Sequence, residues 1–470
     1  MISGKRIIVF GTGDYYKKNE KEISLMSPIL FFDNDKKKNG LMLHGVKVVQ
    51  PDFVATEDAD YIILMSSYEN EMMSQLIGLG VDKSKIVTYD EFRRYSFSIK
   101  QRFDIKEQYS EYNSLSDSAE ARDHRVLIVT PTMTFNGASI AALHLARILK
   151  KNHFKVIVLA PSTGKITAHF LYSDIPVLFD EHLEAHNSEL LLFMESFDYV
   201  LLNSLTVQNL VYGVPDTHTK FIWWLHESDY GFDCAKKDLS NYFSENLQIY
   251  CVGERVKNAV LNKWGYNNVG LFLYGVQDRY KNTIDGSADK KHGKTVFACV
   301  GYISKVKAQD IFVKCLDYLD ESVRSDIELW IVGRILDEEL FGIISAYIEK
   351  YDCIKYLGEY SPEQVQSMYR AVDYVVCPSR RDSMPTVTVE AMMNYRIPIV
   401  SNVVGTASYI ENGVSGYVFE SENINDLANV ITEAYYNRVN YDAISEKGRM
   451  IYERYFSMDK FEVNILEIFK

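Results

Sequence analysis

The strongest constraint on the fold of this 470-residue chain is a repeated alternation of short apolar strands with helix-forming stretches. Such an alternation forms parallel sheets, because each crossover helix returns the chain to the same edge of the sheet. The pattern occurs in three blocks, at about residues 4–92, 125–285 and 295–455. We therefore predict an α/β protein built from three Rossmann-like units.

The composition limits the classes of function. A formal net charge of −13 disfavours a nucleic-acid binder, since phosphate neutralisation needs an excess of Lys and Arg. The six cysteines are isolated, and we expect small buried hydrophobes in a reducing compartment. The N-terminus runs directly into a strand, and no uncharged apolar run approaches the roughly 18 residues that span a bilayer. We expect a cytoplasmic protein without a signal peptide.

The first block has the layout of a nucleotide-binding half-domain. Its opening strand, Arg6–Phe10, leads into Gly11-Thr12-Gly13, and the second strand ends at Asp33. The full glycine fingerprint is incomplete, because Tyr15-Tyr16 fill the loop where a third glycine would stand. Two interpretations stay open: a bound small ligand, or a scaffold between domains or in a homo-oligomer.

Residues 93–122 are interpreted as a linker. Basic and aromatic residues are interleaved at its start: Arg93, Arg94, Tyr95, Phe97, Lys100, Arg102 and Phe103. Such a stretch suits either peripheral contact with an anionic membrane surface or a helix packed between domains.

The second block carries two candidate site residues. A strand at Val126–Val129 leads through Gly137 into a helix, and this arrangement presents backbone N–H groups and a positive dipole end to an anion. His226 follows the apolar strand Lys220–Leu225, where a neutral imidazole in the cleft can hydrogen-bond a sugar hydroxyl. An ordinary tight turn and a structural histidine are the alternatives.

The third block opens with two lysines after its first strand. Lys305 and Lys307 stand just before a helix that we predict to begin near Gln309. Their ammonium groups would neutralise a diphosphate leaving group. The alternative is two solvated surface lysines.

The most specific segment runs from Pro378 to Met392. Asp382 and Glu390 are eight positions apart, and a helix that starts near Thr386 would turn both acids toward one cleft. Carboxylates accept from the paired hydroxyls of a ribose or hexose, while the N–H groups of Thr386 and Val387 remain free for phosphate. In order, these groups would bind a sugar, a diphosphate and a ribose.

At this point residues 125–470 resemble the retaining glycosyltransferases of the GT-B architecture, specifically family 4. The resemblance rests on the acid-x7-acid motif after a Pro-Ser strand end, the glycine loop, and the lysine after the third block's first strand. It implies that Glu390 holds the donor's ribose and that Asp382 holds hydroxyls of the transferred sugar.

The family's other site positions carry over in the same way. The resemblance implies that backbone N–H groups near Met384 help to hold the sugar, that Thr386, Val387 and Lys307 hold the diphosphate, that Gly137 lets its loop close on the donor, and that His226 lies near the transferred sugar. Asp382 and His226 would be the catalytic residues.

The chain also departs from the family's pattern. The first acid is usually Glu, and Ser383 and Pro385 replace the usual glycines. The arginine that precedes the lysine is missing, since Tyr302 and Val306 occupy its plausible places. We expect Lys305 to substitute for that arginine as a point charge.

The resemblance of residues 125–470, together with the strand pattern of the first block, predicts a GT-B fold preceded by a small Rossmann-like α/β domain. Its domains would be residues 1–92, a linker at 93–122, an acceptor domain at 123–290 with 456–470 crossing back to it, and a donor domain at 291–455.

The expected reaction is retaining transfer from a nucleotide diphosphate sugar to a glycan, lipid-linked or protein-linked acceptor, with no metal or other cofactor. A non-catalytic partner subunit, a synthase acting on soluble sugars and a nucleotide-dependent oxidoreductase are the alternatives.

Overall fold

A computed structural model describes residues 6–25, 28–52, 56, 59–89, 124–180, 183, 188–214, 217–280 and 293–470. The chain divides into two compact units, Met1–Ala119 and Glu120–Lys470. The linker predicted at 93–122, with its basic and aromatic residues, lies outside the described residues. So does most of the charged stretch predicted between the second and third blocks.

The first unit contains a six-stranded sheet in the order β3-β4-β2-β1-β5-β6, parallel except for the β3–β4 pair. Its elements are β1 (Ile7–Phe10), α1 (Asp14–Leu25), β2 (Leu30–Phe32), β3 (Met42–Leu43), β4 (Val46–Val49), β5 (Tyr61–Leu64), α2 (Glu69–Gly78) and β6 (Ile86–Thr88). The placement of Tyr15-Tyr16 in a loop was wrong. Both residues lie in the first turn of α1, and Tyr16 is buried in the core.

The carboxylate that follows β2 accepts hydrogen bonds from other residues of the first unit. Asp33 accepts from the backbone N–H of Thr12 at 3.0 Å and from the Lys38 ammonium at 2.8 Å, and the Thr12 hydroxyl donates to the same oxygen. Burial raises the pKa of Asp33, but these donors outweigh it and hold the pKa below its usual value. A ligand at this edge would therefore have to compete with Thr12 and Lys38.

The first half of the second unit is a seven-stranded parallel sheet in the order β13-β12-β11-β10-β7-β8-β9. Its elements are β7 (Arg125–Val129), α3 (Gly137–Lys151), β8 (Lys155–Ala160), α4 (Thr167–Leu171), β9 (Val177–Phe179), α5 (Ser188–Met194), β10 (Tyr199–Asn203), β11 (Lys220–Leu225), α6 (Asp229–Asp233), β12 (Leu247–Cys251), α7 (Glu254–Trp264) and β13 (Val269–Leu271). The inner strands are buried on both faces, as parallel sheets covered by helices require.

The second half is a six-stranded parallel sheet in the order β16-β15-β14-β17-β18-β19. Its elements are β14 (Thr295–Val300), α8 (Gln309–Lys314), α9 (Glu321–Arg324), β15 (Ile327–Val332), α10 (Glu338–Lys350), β16 (Ile354–Tyr356), α11 (Pro362–Met368), β17 (Tyr374–Cys377), α12 (Thr386–Met393), β18 (Ile397–Ser401), β19 (Tyr417–Phe419), α13 (Ile424–Tyr436), α14 (Tyr441–Ile451) and α15 (Met458–Ile468). The predicted helix starts at Gln309 and Thr386 are correct.

Both sheets of the second unit reverse their strand order at one point. In the first sheet β7 lies between β8 and β10, and in the second β14 lies between β15 and β17. Ligands of open parallel sheets bind outside the carboxyl ends of the strands at such a switch point. The candidate residues all follow strands at or beside these points: the glycine loop, His226, Lys307 and the Asp382–Glu390 segment. The topology alone therefore places them at the carboxyl ends of the strands where ligands bind.

The last helix joins the two halves of this unit. α15 packs on α3, and the Glu462 carboxylate accepts from Lys151 and Asn152, each at 3.0 Å. The Phe461 ring lies 5.5 Å from Phe272 of the first half. The chain therefore returns from the second sheet to the first, which ties the helix that follows the glycine loop to the C-terminus.

The end of α3 provides a stability test away from the cleft. His153 adopts a left-handed conformation (φ 66°) just beyond the helix, is exposed, and allows Phe154 N–H to bond to the Leu149 carbonyl. Glycine adopts this conformation without strain, so His153→Gly should raise the free energy of unfolding by about 1 kcal/mol. Urea unfolding measures it. The exposed Ala443→Gly within α14 should instead cost about 1 kcal/mol. A loss of stability in His153→Gly would contradict the expected strain.

Candidate functional site

The centre of the site in the second sheet is an ion pair between two strand ends. Lys307 lies in the loop after β14 and Asp382 in the loop after β17, and the Lys307 ammonium is 2.5 Å from the Asp382 carboxylate. Their side chains are only 33% and 14% exposed. Burial lowers the pKa of Lys307, but the Asp382 carboxylate outweighs it and raises the pKa, so the lysine is charged.

The second predicted lysine points elsewhere. The Lys305 ammonium is bonded to Glu339 of α10 at 3.0 Å, and its side chain is 67% exposed. The structure therefore brings Lys307, and not Lys305, to the Asp382 carboxylate.

An arginine inside the motif braces the two loops. Arg380 donates two parallel bonds of 3.0 Å to Asp310 at the start of α8 and a bond of 2.7 Å to the Lys305 carbonyl. Its backbone N–H also donates to the Val306 carbonyl at 2.8 Å. A bidentate fork fixes geometry better than a single bond. Arg380 thus positions the loop that carries Lys307 against the loop that carries Asp382.

The start of α12 faces the same region. Thr386 is exposed and Val387 half-buried, and as first-turn residues their N–H groups have no acceptor four residues earlier in the helix. Pro385 precedes them without an N–H of its own. The Thr388 hydroxyl is occupied, since it donates to the Pro385 carbonyl at 2.8 Å. Within the described residues neither N–H group of Thr386 or Val387 has an acceptor, and two such donors at a positive helix end can hold an anion.

Met384 connects the two halves of the unit. Its buried carbonyl accepts from the Tyr274 hydroxyl at 2.8 Å, and Tyr274 belongs to the segment after β13. A Cβ at Gly253 would lie 2.6 Å from the Met384 methyl, and one at Gly405 would lie 1.7 Å from the Ser383 carbonyl oxygen. Both glycines leave room for this loop, which occupies the position where the resemblance expects a glycine-rich turn.

Glu390 lies one turn into α12 and accepts from the buried Tyr369 hydroxyl at 3.0 Å. Burial raises the pKa of Glu390, while the Tyr369 bond and the nearby Arg279 guanidinium partly offset that rise. A carboxylate with a raised pKa and one bonded oxygen has capacity left to accept from a ligand.

The Tyr369 bond predicts a pH effect. The Tyr369→Phe variant loses a donor that favours the ionised form of Glu390, so the pKa of Glu390 should rise further. If ligand binding needs the carboxylate, activity is lost as pH falls through that pKa, and the acid limb of the kcat/KM profile should move to higher pH. Tyr347→Phe removes a comparable 2.5 Å bond to Asp317 on the protein surface and should leave the limb in place. An unmoved limb in Tyr369→Phe would contradict this role.

In the first sheet, Gly137 begins α3 and faces open space. The Asn136 side chain caps the helix by accepting from the Ser139 N–H at 2.9 Å. Apart from the residues adjoining Gly137 and the backbone of its own helix turn, no heavy atom in the described part of the chain lies within 4 Å of where its Cβ would stand. The loop therefore leaves unobstructed access to the helix start, as an approaching anion requires.

His226 follows β11 and is held as a neutral ring. Its Nε2 lies 2.9 Å from Oδ1 of Asn203, and its ring packs 4.4 Å from Trp224. Burial lowers the pKa of His226 to about 3, so the imidazole is uncharged at neutral pH. It can act as a hydrogen-bond donor and acceptor but not as a standing charge.

The sequence interpretation missed three residues of this region. Asn203, Tyr369 and Arg380 each bond to a candidate residue or to the loop that carries one. Asn203 had a usable signal, because it directly follows a strand at the switch point. Tyr369 lies outside any motif, on the turn after α11, and had none.

The structure also bears on three other features: groups that could bind a metal ion, helices that could cross a membrane, and the cysteines. Among the described residues no group of three or more His, Cys, Asp or Glu could hold a metal ion. Within the same residues, no helix is long and apolar enough to cross a membrane. Five cysteines are buried as predicted, whereas Cys234 is exposed.

Comparison with known sequences gives two family matches. Residues 281–450 match a family described as "Glycosyl transferases group 1", and residues 3–87 match one described as "C2185-like, N-terminal". An uncharacterized glycosyltransferase of Methanocaldococcus jannaschii is 24% identical over 241 residues, which cover 50% of this chain and 58% of that protein. A D-inositol 3-phosphate glycosyltransferase of Mycolicibacterium smegmatis is 26% identical over 171 residues, covering 35% of this chain and 37% of that protein. The chain spans less than two thirds of either relative.

Solved structures share the architecture of the second unit. A glycosyltransferase from Rickettsia africae aligns with a TM-score of 0.62 and 16% identity, over 74% of this chain and 98% of that one. Anabaena HepE, in complex with UDP and glucose, aligns with a TM-score of 0.60 and 16% identity, over 73% and 98%. At this identity the likeness shows the fold alone. It confirms the predicted GT-B fold, which here follows a small α/β domain.

Proposed function

We propose that this chain is a retaining glycosyltransferase that moves a sugar from a nucleotide diphosphate sugar to a glycan, lipid-linked or protein-linked acceptor in cell-surface polysaccharide or glycoconjugate synthesis. The match of residues 281–450 to group 1 glycosyl transferases supports the reaction class. The observation that carries the proposal is the order of groups after β17: Asp382 with Lys307, the free helix start at Thr386, and Glu390. This order fits sugar, diphosphate and ribose.

Each group would have a separate task. Glu390 would accept from the ribose hydroxyls, and Lys307 with the N–H groups of Thr386 and Val387 would hold the diphosphate. Asp382 would accept from hydroxyls of the transferred sugar. His226 and the Gly137 loop would meet the same sugar and the diphosphate from the first sheet. The Lys307 ammonium would therefore interact with two anionic groups, the Asp382 carboxylate and the diphosphate.

The bond changes follow from retention. The bond between the anomeric carbon and the leaving diphosphate oxygen breaks, and the acceptor oxygen attaches on the same face. The acceptor's proton goes to the departing diphosphate. The charge that develops there would be stabilised by Lys307 and by the dipole of α12, so we propose that the enzyme uses no metal ion and no cofactor. The bond from Tyr274 to Met384 would help hold the two sheets together around the donor and keep water out.

A donor screen tests the proposal. The melting temperature of the purified protein is measured with UDP, GDP, ADP and the corresponding nucleotide sugars. The compounds that carry one particular base should raise it more than the others. The selected nucleotide sugar is then incubated with candidate acceptors, and NMR of the product should show the donor's anomeric configuration. Inverted product would contradict retention. The absence of stabilisation by any nucleoside diphosphate would contradict the function itself.

Two alternatives predict different results. Pro385 and the missing arginine favour a non-catalytic glycosyltransferase-like subunit, which should bind no nucleoside diphosphate in calorimetry. A synthase acting on soluble sugars would transfer to a free monosaccharide or sugar phosphate.

We propose a cytoplasmic enzyme that reaches lipid-linked acceptors from the membrane surface, and sedimentation with anionic vesicles tests that contact.

A further inference from the structure

The end of β10 carries a buried asparagine with a defined orientation. Asn203 has no exposed surface, and its Nδ2 donates to the Ala138 carbonyl at 3.2 Å and to the Thr130 hydroxyl at 3.3 Å. A carbonyl oxygen can only accept, so the amide nitrogen must face Ala138. This orientation leaves Oδ1 of Asn203 facing His226.

That orientation decides where the His226 proton lies. Oδ1 of Asn203 is an acceptor, so the ring nitrogen 2.9 Å away, Nε2, must carry the hydrogen. A neutral imidazole has a single N–H, so Nδ1 keeps a free lone pair. No residue in the described part of the chain forms a hydrogen bond to Nδ1 of His226.

A second pair fastens the same two strand ends. Ser204 follows Asn203 with φ 88° and ψ 155°, a backbone conformation that is essentially confined to glycine. Its hydroxyl donates to Glu227, whose other oxygen accepts from the N–H groups of Leu205 at 2.9 Å and His226 at 3.0 Å. Strain at a non-glycine residue persists where the surroundings over-determine it. The ends of β10 and β11 are thus joined by two side-chain pairs, Asn203–His226 and Ser204–Glu227.

We propose that Asn203 is a positioning residue that fixes His226 in its Nε2–H tautomer, so that Nδ1 accepts a hydrogen bond from a hydroxyl of the transferred sugar. The inference rests on the proposed function for the identity of the ligand, but the tautomer itself does not. Because Asn203 also bonds to the Ala138 carbonyl next to Gly137, the same amide links the glycine loop to the histidine. The ring then selects a ligand that offers an O–H, and a sugar that lacks the hydroxyl facing Nδ1 loses the hydrogen bond.

The first part of the test is spectroscopic. The full chain is labelled with 15N-histidine, and the His226 signals are assigned by their disappearance in His226→Gln. We expect a neutral ring with the hydrogen on Nε2 between pH 5 and 8. In Asn203→Asp a carboxylate replaces the amide beside Nε2, so the ring should become an imidazolium at higher pH than in the wild type. A wild-type ring with its hydrogen on Nδ1 would overturn the proposal.

The second part is kinetic. Asn203→Asp keeps the size and the acceptor, but Nδ1 of His226 becomes a donor when the ring is charged. Transfer should therefore fall by about 10- to 100-fold in kcat, with a smaller rise in the donor's KM because the same bond also holds the bound sugar. The loss should deepen as pH falls. Asn203→Ala should lower kcat by a similar factor without the added pH dependence. Asn246→Ala removes an amide that donates to the Thr219 carbonyl at the opposite edge of the sheet, and should change neither the His226 signals nor the rate.

The outcomes separate the two proposals. Full transfer activity in both Asn203 variants would overturn the positioning role while leaving the glycosyltransferase assignment intact. A wild-type protein that binds no nucleoside diphosphate in calorimetry would overturn the assignment, and the 15N spectrum would still decide whether Asn203 sets the His226 tautomer.

Discussion

Lys307→Met should reduce sugar transfer by about 10²- to 10³-fold, the usual loss when one electrostatic stabiliser of a leaving group is removed. The methionine keeps most of the length of the lysine but carries no charge toward the diphosphate. It also leaves the Asp382 carboxylate, which is only 14% exposed, without its ammonium partner. Since the Lys307 side chain keeps a third of its surface in solvent, we expect a loss of about 2 kcal/mol in the free energy of unfolding.

A double variant tests whether the stability loss comes from the unpaired Asp382 carboxylate. Lys307→Met combined with Asp382→Asn no longer contains an unpaired charge, so much of the stability should return while transfer stays low. Urea unfolding and initial rates at saturating donor measure the two quantities. Lys355→Met removes a 2.7 Å ion pair with Glu328 on the protein surface, and should have little effect on either. Transfer that recovers together with stability in the double variant would show that Lys307 serves only the fold.

The strands of the two sheets could be predicted because an apolar run between polar turns is a local signal. The strands predicted at Val126–Val129 and Lys220–Leu225 lie within one residue of their observed limits. The Thr386 helix start was also readable, since a proline precedes it and the apolar pattern continues. Short strands were missed: Met42–Leu43 pairs with its neighbour through two residues and has no periodicity to detect.

The choice between neighbouring side chains could not be predicted. Lys305 and Lys307 are two positions apart and equally basic, but only one reaches Asp382, because the direction of each side chain depends on the loop that Arg380 braces. Likewise, the contact between Asn203 and His226 joins residues 23 apart that meet only because β10 and β11 are adjacent. Such contacts follow from the tertiary register and not from any local pattern.

Glu390→Gln should lower donor affinity and transfer by about 10- to 100-fold and raise stability at neutral pH. The substitution keeps the shape and still offers an oxygen to the Tyr369 hydroxyl, but an amide accepts less strongly from ribose hydroxyls than a carboxylate does. Calorimetry with the nucleoside diphosphate and rates with the nucleotide sugar measure the loss. Unchanged affinity would remove Glu390 from the ribose site.

The gain in stability follows from linkage. Burial raises the pKa of Glu390 in the folded protein, so the folded state binds this proton more tightly than the unfolded state does. Between the two pKa values wild-type stability therefore rises as pH falls, and above both the ionised carboxylate opposes folding. Glutamine has no charge to desolvate, so the variant should be more stable than the wild type at neutral pH, and the difference should shrink in acid.

Glu462→Gln is the matched control. Asn152 and Lys151 hold the pKa of Glu462 below its usual value, so that variant should lose stability and keep transfer activity. Opposite signs in two Glu→Gln variants of one protein would identify Glu390 as a carboxylate maintained for a ligand at the expense of the fold.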